Sequence, residues 1–162
     1  GVYSNVLFVN VPNVRVNGNG TDNDRLIFAG TTSADQFHVN MAATGNLADP
    51  YLQFSSLSGA ALTLLGYGAV GTPRLLGRDG ADTFDVYVAD RGPVLGRKVK
   101  INGGNPTGFR SMDRLRFHYP KSQATVNHLP IDSNTGTIDA LFSTRRFDIA
   151  YDDIEDVLLL PF

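Results

Sequence analysis

The sequence predicts an all-β fold, and a parallel β-solenoid built of tandem repeats is the architecture it favours. Helical periodicity is nearly absent from the 162 residues, whereas short runs of alternating apolar and polar residues recur about every 8–12 residues. The 17 Gly and 8 Pro supply turn residues between these runs. Two tandem β-sandwich domains are the alternative, because alternation indicates a buried strand face and not the direction of the strand.

The composition excludes several functional classes. With 42% hydrophobic and 19% charged residues, the chain is expected to fold rather than to remain disordered. A formal net charge of −2 argues against nucleic acid as a partner, and no apolar run approaches the ~20 residues of a membrane span. The absence of cysteine excludes thiol catalysis, disulfides and cysteine zinc sites. Because the chain begins with Gly1 and not Met, we expect it to be part of a longer protein.

The strands are predicted where alternation is clearest. Phe84, Val86 and Val88 alternate with Asp85 and Tyr87, which places the first three on a buried face and the other two on a solvated face. The same pattern occurs at residues 25–28, 36–39 and 114–119. The residues predicted to stack in the core are Leu26, Phe28, Phe37, Val39, Phe84, Val86, Leu115 and Phe117.

The chain also contains an internal repeat with a period of about 85–95 residues. Residues 14–18 (Val-Arg-Val-Asn-Gly) match residues 99–103 (Val-Lys-Ile-Asn-Gly), and residues 24–28 match residues 113–117 in the same order. We therefore expect a first repeat in residues 1–84 and an incomplete second repeat in residues 85–162, or one continuous β-rich unit.

A turn rich in glycine and aspartate precedes the clearest strand. Residues 77–85 (Gly-Arg-Asp-Gly-Ala-Asp-Thr-Phe-Asp) have the spacing G-x-x-G-x-D-x-hydrophobic-x, and residues 30–39 carry a degenerate form of it. This nonapeptide resembles the calcium-binding repeat of RTX proteins, with Arg78 where that family prefers a second glycine. Together with the Val-x-Val-Asn-Gly and Asp-x-Leu-x-Phe segments, it resembles the RTX-like and haemagglutinin-like repetitive exoproteins of bacteria.

The resemblance implies an extracellular or cell-surface protein with calcium in its turns. Calcium takes six to eight oxygen ligands at about 2.3–2.6 Å, and turn carbonyls and aspartate carboxylates supply such oxygens. The alternative role for the same aspartates is to cap the turns by accepting backbone N–H bonds. The candidate calcium ligands are Asp22, Asp24, Asp35, Asp79 and Asp82.

The function that the resemblance implies is structural: a subunit or repeat segment of an extracellular filament, surface layer or adhesin. Apolar strands near both ends of the chain are candidates for self-assembly through β-edges and end-to-end contacts, with further copies or flanking repeats as partners. The predicted assembly residues are Val6, Leu7, Phe8, Val9, Leu158, Leu160 and Phe162.

A carbohydrate-binding module of a secreted protein is the alternative function. Alternation places Tyr87, Arg114 and Arg116 on solvated strand faces, where a glycan could dock. His38 and His118 each follow a phenylalanine predicted to be buried, so both imidazoles are expected to point outwards. No enzyme is expected. A β-helical polysaccharide-degrading enzyme is disfavoured because the acidic residues lie in separate turns and a catalytic site needs convergent groups.

Overall fold

The computed structural model describes residues 13–17, 27–40, 51–56, 61–65, 72–88, 97–105, 112–143 and 146–162. These residues contain strands and turns and no helix, so the all-β prediction is confirmed. In this part of the chain there is accordingly no helix that could cross a membrane. The strands are β1 (Asn13–Asn17), β2 (Ile27–Ala29), β3 (Gln36–Asn40), β4 (Tyr51–Ser56), β5 (Ala61–Leu65), β6 (Arg74–Asp79), β7 (Thr83–Tyr87), β8 (Arg97–Asn105), β9 (Arg114–Tyr119), β10 (Thr125–Pro130), β11 (Gly136–Leu141), β12 (Arg146–Asp152) and β13 (Asp156–Pro161).

The strands form two mixed sheets, and four neighbouring strands at one end of each sheet are parallel. The seven-stranded sheet has the order β1-β5-β4-β3-β7-β9-β13, and the six-stranded sheet has the order β10-β11-β12-β8-β6-β2. In the first, β3, β7, β9 and β13 are parallel; in the second, β2, β6, β8 and β12 are parallel. Along the chain, each strand of the second set is followed directly by one strand of the first. Four two-strand units are therefore stacked in the same order in both sheets.

Two antiparallel hairpins separate these units along the chain and lie beside the stack. The β4–β5 hairpin follows the first unit, and the β10–β11 hairpin follows the third. They make the spacing between units along the chain irregular, so the short two-strand unit is not recognisable as a repeat in the sequence. Residues 14–17 of the first matched segment lie on β1, and residues 99–103 lie on β8. Among the described strands β1 pairs only with β5, whereas β8 lies between β6 and β12.

The core lies between the two sheets and contains the residues predicted for it. Phe37 stacks on Phe84 with ring centroids 4.7 Å apart, and Phe28 meets Phe37 edge-on. Of the predicted set, Leu26 lies outside the described residues, Phe28 is partly buried, and the other six are at most 1% exposed. The six-stranded sheet contributes core residues that alternation did not identify, among them Leu75, Val99, Ile101, Ile138, Phe147 and Ile149.

Arg78 has a backbone conformation that favours glycine. Its φ is 78°, and its neighbour in register across the sheet is Gly104, with a φ of 101°. An L-residue in the left-handed region costs roughly 1–2 kcal/mol, and the Arg78 side chain is exposed. The position where the RTX repeat has glycine is thus a position where glycine relieves strain.

We expect Arg78→Gly to raise the free energy of unfolding by about 1 kcal/mol, part of the gain being offset by the greater freedom of glycine in the unfolded chain. Urea denaturation followed by circular dichroism measures this change. Arg78→Ala is the matched control, because it removes the side chain and keeps the Cβ. A glycine variant no more stable than the alanine variant would contradict the assignment of strain.

Candidate functional site

An acidic residue occupies the same place in each of the four stacked units. Asp35, Asp82, Asp113 and Glu155 come directly before β3, β7, β9 and β13. The backbone N–H of Asp35 donates to Asp82 Oδ1, that of Asp82 to Asp113 Oδ1, and that of Asp113 to Glu155 Oε2, each at 2.7 Å. We call these four residues the carboxylate ladder. It ties every unit to the next through a side chain as well as through the sheets.

Glycines make room for the ladder. The Cα of Gly77 lies against the Asp82 carboxylate and the carbonyl oxygen of Gly103, so that a Cβ at this position would overlap both. Gly30 has the same relation to Asp35 and to the carbonyl oxygen of Gly77. The Gly-x-x-x-x-Asp spacing of the predicted turns therefore has a packing cause, because the carboxylate folds over the glycine of its own turn.

Two carboxylates of the ladder are buried with one oxygen unpaired. Asp82 and Asp113 are both 0% exposed, and the Oδ2 atom of each has no hydrogen-bond partner within the described part of the chain. Burial raises the pKa of Asp82 to about 6, outweighing the hydrogen bond from Asp35 N–H. Burial raises the pKa of Asp113 as well, and the charge of Glu155 adds to this increase.

Two of the predicted calcium ligands, Asp35 and Asp82, accept backbone hydrogen bonds in the turns. Asp35 Oδ2 accepts hydrogen bonds from Thr31 N at 2.6 Å and Thr31 Oγ1 at 2.9 Å, and Asp82 accepts the bond from Asp35 N–H. This is the capping alternative for these two carboxylates. Asp79 is partly buried at the end of β6, and the predicted ligands Asp22 and Asp24 lie outside the described residues. No three His, Asp or Glu side chains of the described residues are arranged to hold a metal ion, and calcium binding stays a prediction.

A second polar cluster surrounds Asp85 on the solvent side of the seven-stranded sheet. Asp85 is 2% exposed, because its neighbours cover it. Its carboxylate accepts hydrogen bonds from Gln36 Nε2 at 3.0 Å and Arg116 Nη2 at 2.6 Å, and it lies 3.2 Å from His118 Nε2 and 4.0 Å from His38 Nδ1. We call these five residues the Asp85 cluster. The register explains it, since His38, Asp85 and Arg116 are directly adjacent on β3, β7 and β9.

The neighbours of Asp85 decide its charge. Burial alone would raise the pKa of Asp85, but the hydrogen bonds from Gln36, His118 and Arg116 outweigh burial and hold that pKa below its ordinary value. Asp85 is therefore an ionised carboxylate that holds three strands together, whereas the ladder carboxylates Asp82 and Asp113 take up a proton more readily than an ordinary aspartate.

The predicted carbohydrate-binding residues come together beside this cluster. Tyr87, Arg114 and Arg116 share the outer face of β7 and β9. The ring of Tyr87 stacks on His118 with centroids 4.2 Å apart, Arg114 Nε donates to Asp156 at 2.6 Å, and Arg116 is bound to Asp85. The groups that would recognise a glycan are thus engaged with neighbouring strands.

The two histidines lie on the outer face as expected, yet sequence reasoning missed that Asp85 brings them together. Residues 34–39 and 81–86 share the pattern Ala-Asp-x-Phe-x-Val. Aligning these two segments as neighbouring parallel strands would have placed His38 beside Asp85. Asp113 and Glu155 were missed for another reason. The glycine that lies against the Asp113 carboxylate is Gly103, ten residues before it, and no glycine stands five residues before Glu155.

The predicted assembly residues near the carboxyl end lie on the last strand of a sheet. Leu158 is 37% exposed and Phe162 is 68% exposed, while Leu160 is partly buried. In the part of the chain that the structure describes, β13 pairs with β9 alone. The other predicted assembly residues, Val6, Leu7, Phe8 and Val9, lie outside the described residues.

The hydrogen bonds of β13 define which backbone groups face its second edge. Asp156 N–H donates to Asp113 and Phe162 N–H donates to Tyr119, so these alternate residues point towards β9. The N–H groups of Val157 and Leu159 therefore point to the opposite edge. Pro161 would be the next donor there and has no N–H, which ends that edge after a short run.

Comparison of the chain with protein-family models, with curated proteins and with solved structures found no match. The carboxylate ladder, the Asp85 cluster and the second edge of β13 are therefore the features from which a function has to be argued.

Proposed function

We propose that the chain is a structural repeat segment of an extracellular filament, surface layer or adhesin. Its four parallel units form a β-solenoid, and a further repeat of the same kind adds to β13. The four parallel strands in each sheet support a solenoid over two tandem sandwiches, since sandwiches are built from antiparallel sheets. The proposal includes no enzymatic activity.

The observation that carries the proposal is the carboxylate ladder. It repeats one interaction three times through the four units: the acidic side chain of the second, third and fourth unit accepts a hydrogen bond from the backbone N–H of the unit before it. Such an interaction depends only on nearest neighbours, which is how repeat proteins are stabilised. The same rule specifies the next repeat: an acidic residue directly before a strand that pairs in parallel with β13.

The second edge of β13 suits such an addition. The N–H groups of Val157 and Leu159 point outwards from this edge, away from β9. Leu158 adds an exposed apolar side chain on the outer face of the sheet. Added strands gain affinity from main-chain hydrogen bonds and specificity from alternate side chains. Glu155 ends the ladder here: its carboxylate accepts the bond from Asp113 N–H, and its own N–H donates to the Asp113 carbonyl oxygen at 3.1 Å. A new unit would therefore meet the edge of the strand first.

Light scattering and negative-stain microscopy of the purified chain test the proposal. We expect ordered polymers, and Leu158→Lys should reduce them strongly because a charged edge strand resists pairing. The matched control is Leu129→Lys, which places the same charge on β10, the last strand of the other sheet, where Leu129 is 57% exposed.

Calcium and a chelator are compared in the same experiment. Polymers that dissolve in chelator would support a calcium-dependent subunit, and polymers indifferent to it would leave the predicted aspartate ligands as turn caps. Assembly through β13 would be contradicted if the chain were a monomer with and without calcium. It would also be contradicted if Leu158→Lys left the polymers intact while Leu129→Lys removed them.

A further inference from the structure

The solvent face of the six-stranded sheet contains a shallow depression of about 540 Å³. Arg74 of β6, Lys100 of β8 and Ala150 of β12 lie side by side in register across it, and Thr137 of β11 continues the row. We call the part lined by Arg74, Lys100 and Ala150 the cationic depression. It lies on a different sheet from both β13 and the Asp85 cluster.

The two cations of this depression have no carboxylate partner among the described residues. Several other basic residues on the sheets are paired: Arg114 with Asp156, Arg116 with Asp85, and Arg146 with both Asp139 and Asp148. Neither Arg74 nor Lys100 forms an ion pair with any residue that the structure describes. Like charges directly opposite each other destabilise a sheet, so this pair lowers stability unless an anion lies between or above the two side chains.

The remainder of the row leaves the floor of the depression open. Ala150 and Thr137 have small side chains, which lets a ligand approach the sheet beside the cations. Asp152 stands at the rim, and its carboxylate is engaged by Thr135 Oγ1 at 2.8 Å and by the amide of Asn102 at 3.5 Å. The amide of Asn102 also donates to Asp153 at 2.9 Å, so Asn102 and Thr135 are both engaged with carboxylates at the rim. Arg74 and Lys100, by contrast, require a negative charge from outside.

We infer that the cationic depression binds the anionic groups of an acidic polysaccharide. Four neighbouring strands at about 4.8 Å spacing make the row about 15 Å long, which suits several rings of an extended sugar chain better than one small ion. Guanidinium and ammonium groups recognise carboxylate and sulfate alike. The net charge of −2 argues against a general attraction to polyanions, so binding should depend on this local pair.

Isothermal titration calorimetry of the purified chain tests the inference with four probes: polygalacturonate, dextran sulfate, neutral dextran and single-stranded DNA. We expect one or both acidic polysaccharides to bind and dextran to give no signal. Binding of polygalacturonate alone would identify carboxylates as the recognised group, and binding of dextran sulfate alone would identify sulfates.

The double substitution Arg74→Gln with Lys100→Gln should weaken polysaccharide binding at least tenfold. Lys121→Gln is the control for charge, since it removes a positive charge from an exposed turn away from the depression. The melting temperature of the double variant should not fall, because the substitution removes a repulsion. The inference would be overturned if the double variant bound polysaccharide unchanged, or if Lys121→Gln lost as much binding as the double variant. It would also be overturned if neither acidic polysaccharide bound, or if DNA bound equally tightly.

Discussion

Gly77→Ala is expected to lower the free energy of unfolding by about 3 kcal/mol or to prevent folding. The new methyl group would overlap the carboxylate of Asp82 and the carbonyl oxygen of Gly103. The carbonyl belongs to the backbone of the next unit, so it cannot rotate out of the way. Relief would require Asp82 to leave Asp35 N–H or the parallel strands β6 and β8 to move apart.

Urea denaturation measured by circular dichroism gives the size of this effect, with Ser33→Ala as the control. Ser33 lies in the neighbouring turn with an exposed side chain, and its substitution should change stability by less than about 0.5 kcal/mol. Gly103→Ala should resemble Gly77→Ala, because its Cβ would meet the Asp113 carboxylate and the backbone of Asp153. A Gly77→Ala protein as stable as the control would show that the units are not packed through their glycines.

The sequence predicted the buried face of the seven-stranded sheet because alternation is a direct consequence of strand geometry. Phe37, Phe84 and Phe117 alternate with polar residues, and each is buried as expected. The six-stranded sheet was harder to predict, since β8 (Arg97–Asn105) contains charged and glycine residues at most positions and only Val99 and Ile101 indicate its inner face. Parallel and antiparallel strands alternate in the same way, so alternation alone does not distinguish the two directions.

The candidate site was predicted in parts that the fold then joined. Asp35 and Asp82 were identified by their glycine spacing, but Asp113 comes ten residues after Gly103, and the last acidic residue of the ladder is Glu155. A carboxylate ladder is a relation between neighbouring units. It requires the register, which short repeats interrupted by hairpins do not reveal. The same holds for Asp85 and its two histidines, whose contacts lie across strands.

The ladder and the Asp85 cluster stabilise the same stack in opposite electrostatic ways. The ladder uses buried carboxylates with a raised pKa next to one another, whereas Asp85 is balanced by the guanidinium of Arg116. The contacts between neighbouring units thus depend on both kinds of carboxylate, and the stabilisation that each kind provides changes differently with pH.

Stability is therefore expected to rise as the pH falls from about 7.5 to about 4.5. The folded pKa of Asp82 is about 6, above the ordinary value of 3.8, so the folded state holds its proton more tightly than the unfolded state. Its contribution to the free energy of unfolding is fully present below the ordinary value and is lost as the pH rises through about 6. The difference across this range is about 2 kcal/mol, and the raised pKa of Asp113 acts in the same direction.

Asp82→Asn isolates this effect. The asparagine keeps an oxygen for Asp35 N–H and removes the ionisation, so the gain in stability on acidification should shrink by about 2 kcal/mol relative to the natural protein. Urea denaturation at several pH values measures both curves. Parallel curves would show that Asp82 does not hold its proton more tightly in the folded state.

Asp85→Asn should remove a stabilising contribution with the opposite pH dependence. The pKa of Asp85 is lowered in the folded state, so its contribution is present above the ordinary aspartate value and is lost as the pH falls below it. At neutral pH the substitution leaves Arg116 without its carboxylate, a loss of about 3–5 kcal/mol for a buried pair, somewhat less here because Arg116 is partly exposed. The natural protein should then be most stable in mild acid, near pH 4–5, where the ladder is protonated and Asp85 is still ionised. A maximum near neutral pH would mean that the ladder carboxylates are ionised without penalty, which their burial beside one another argues against.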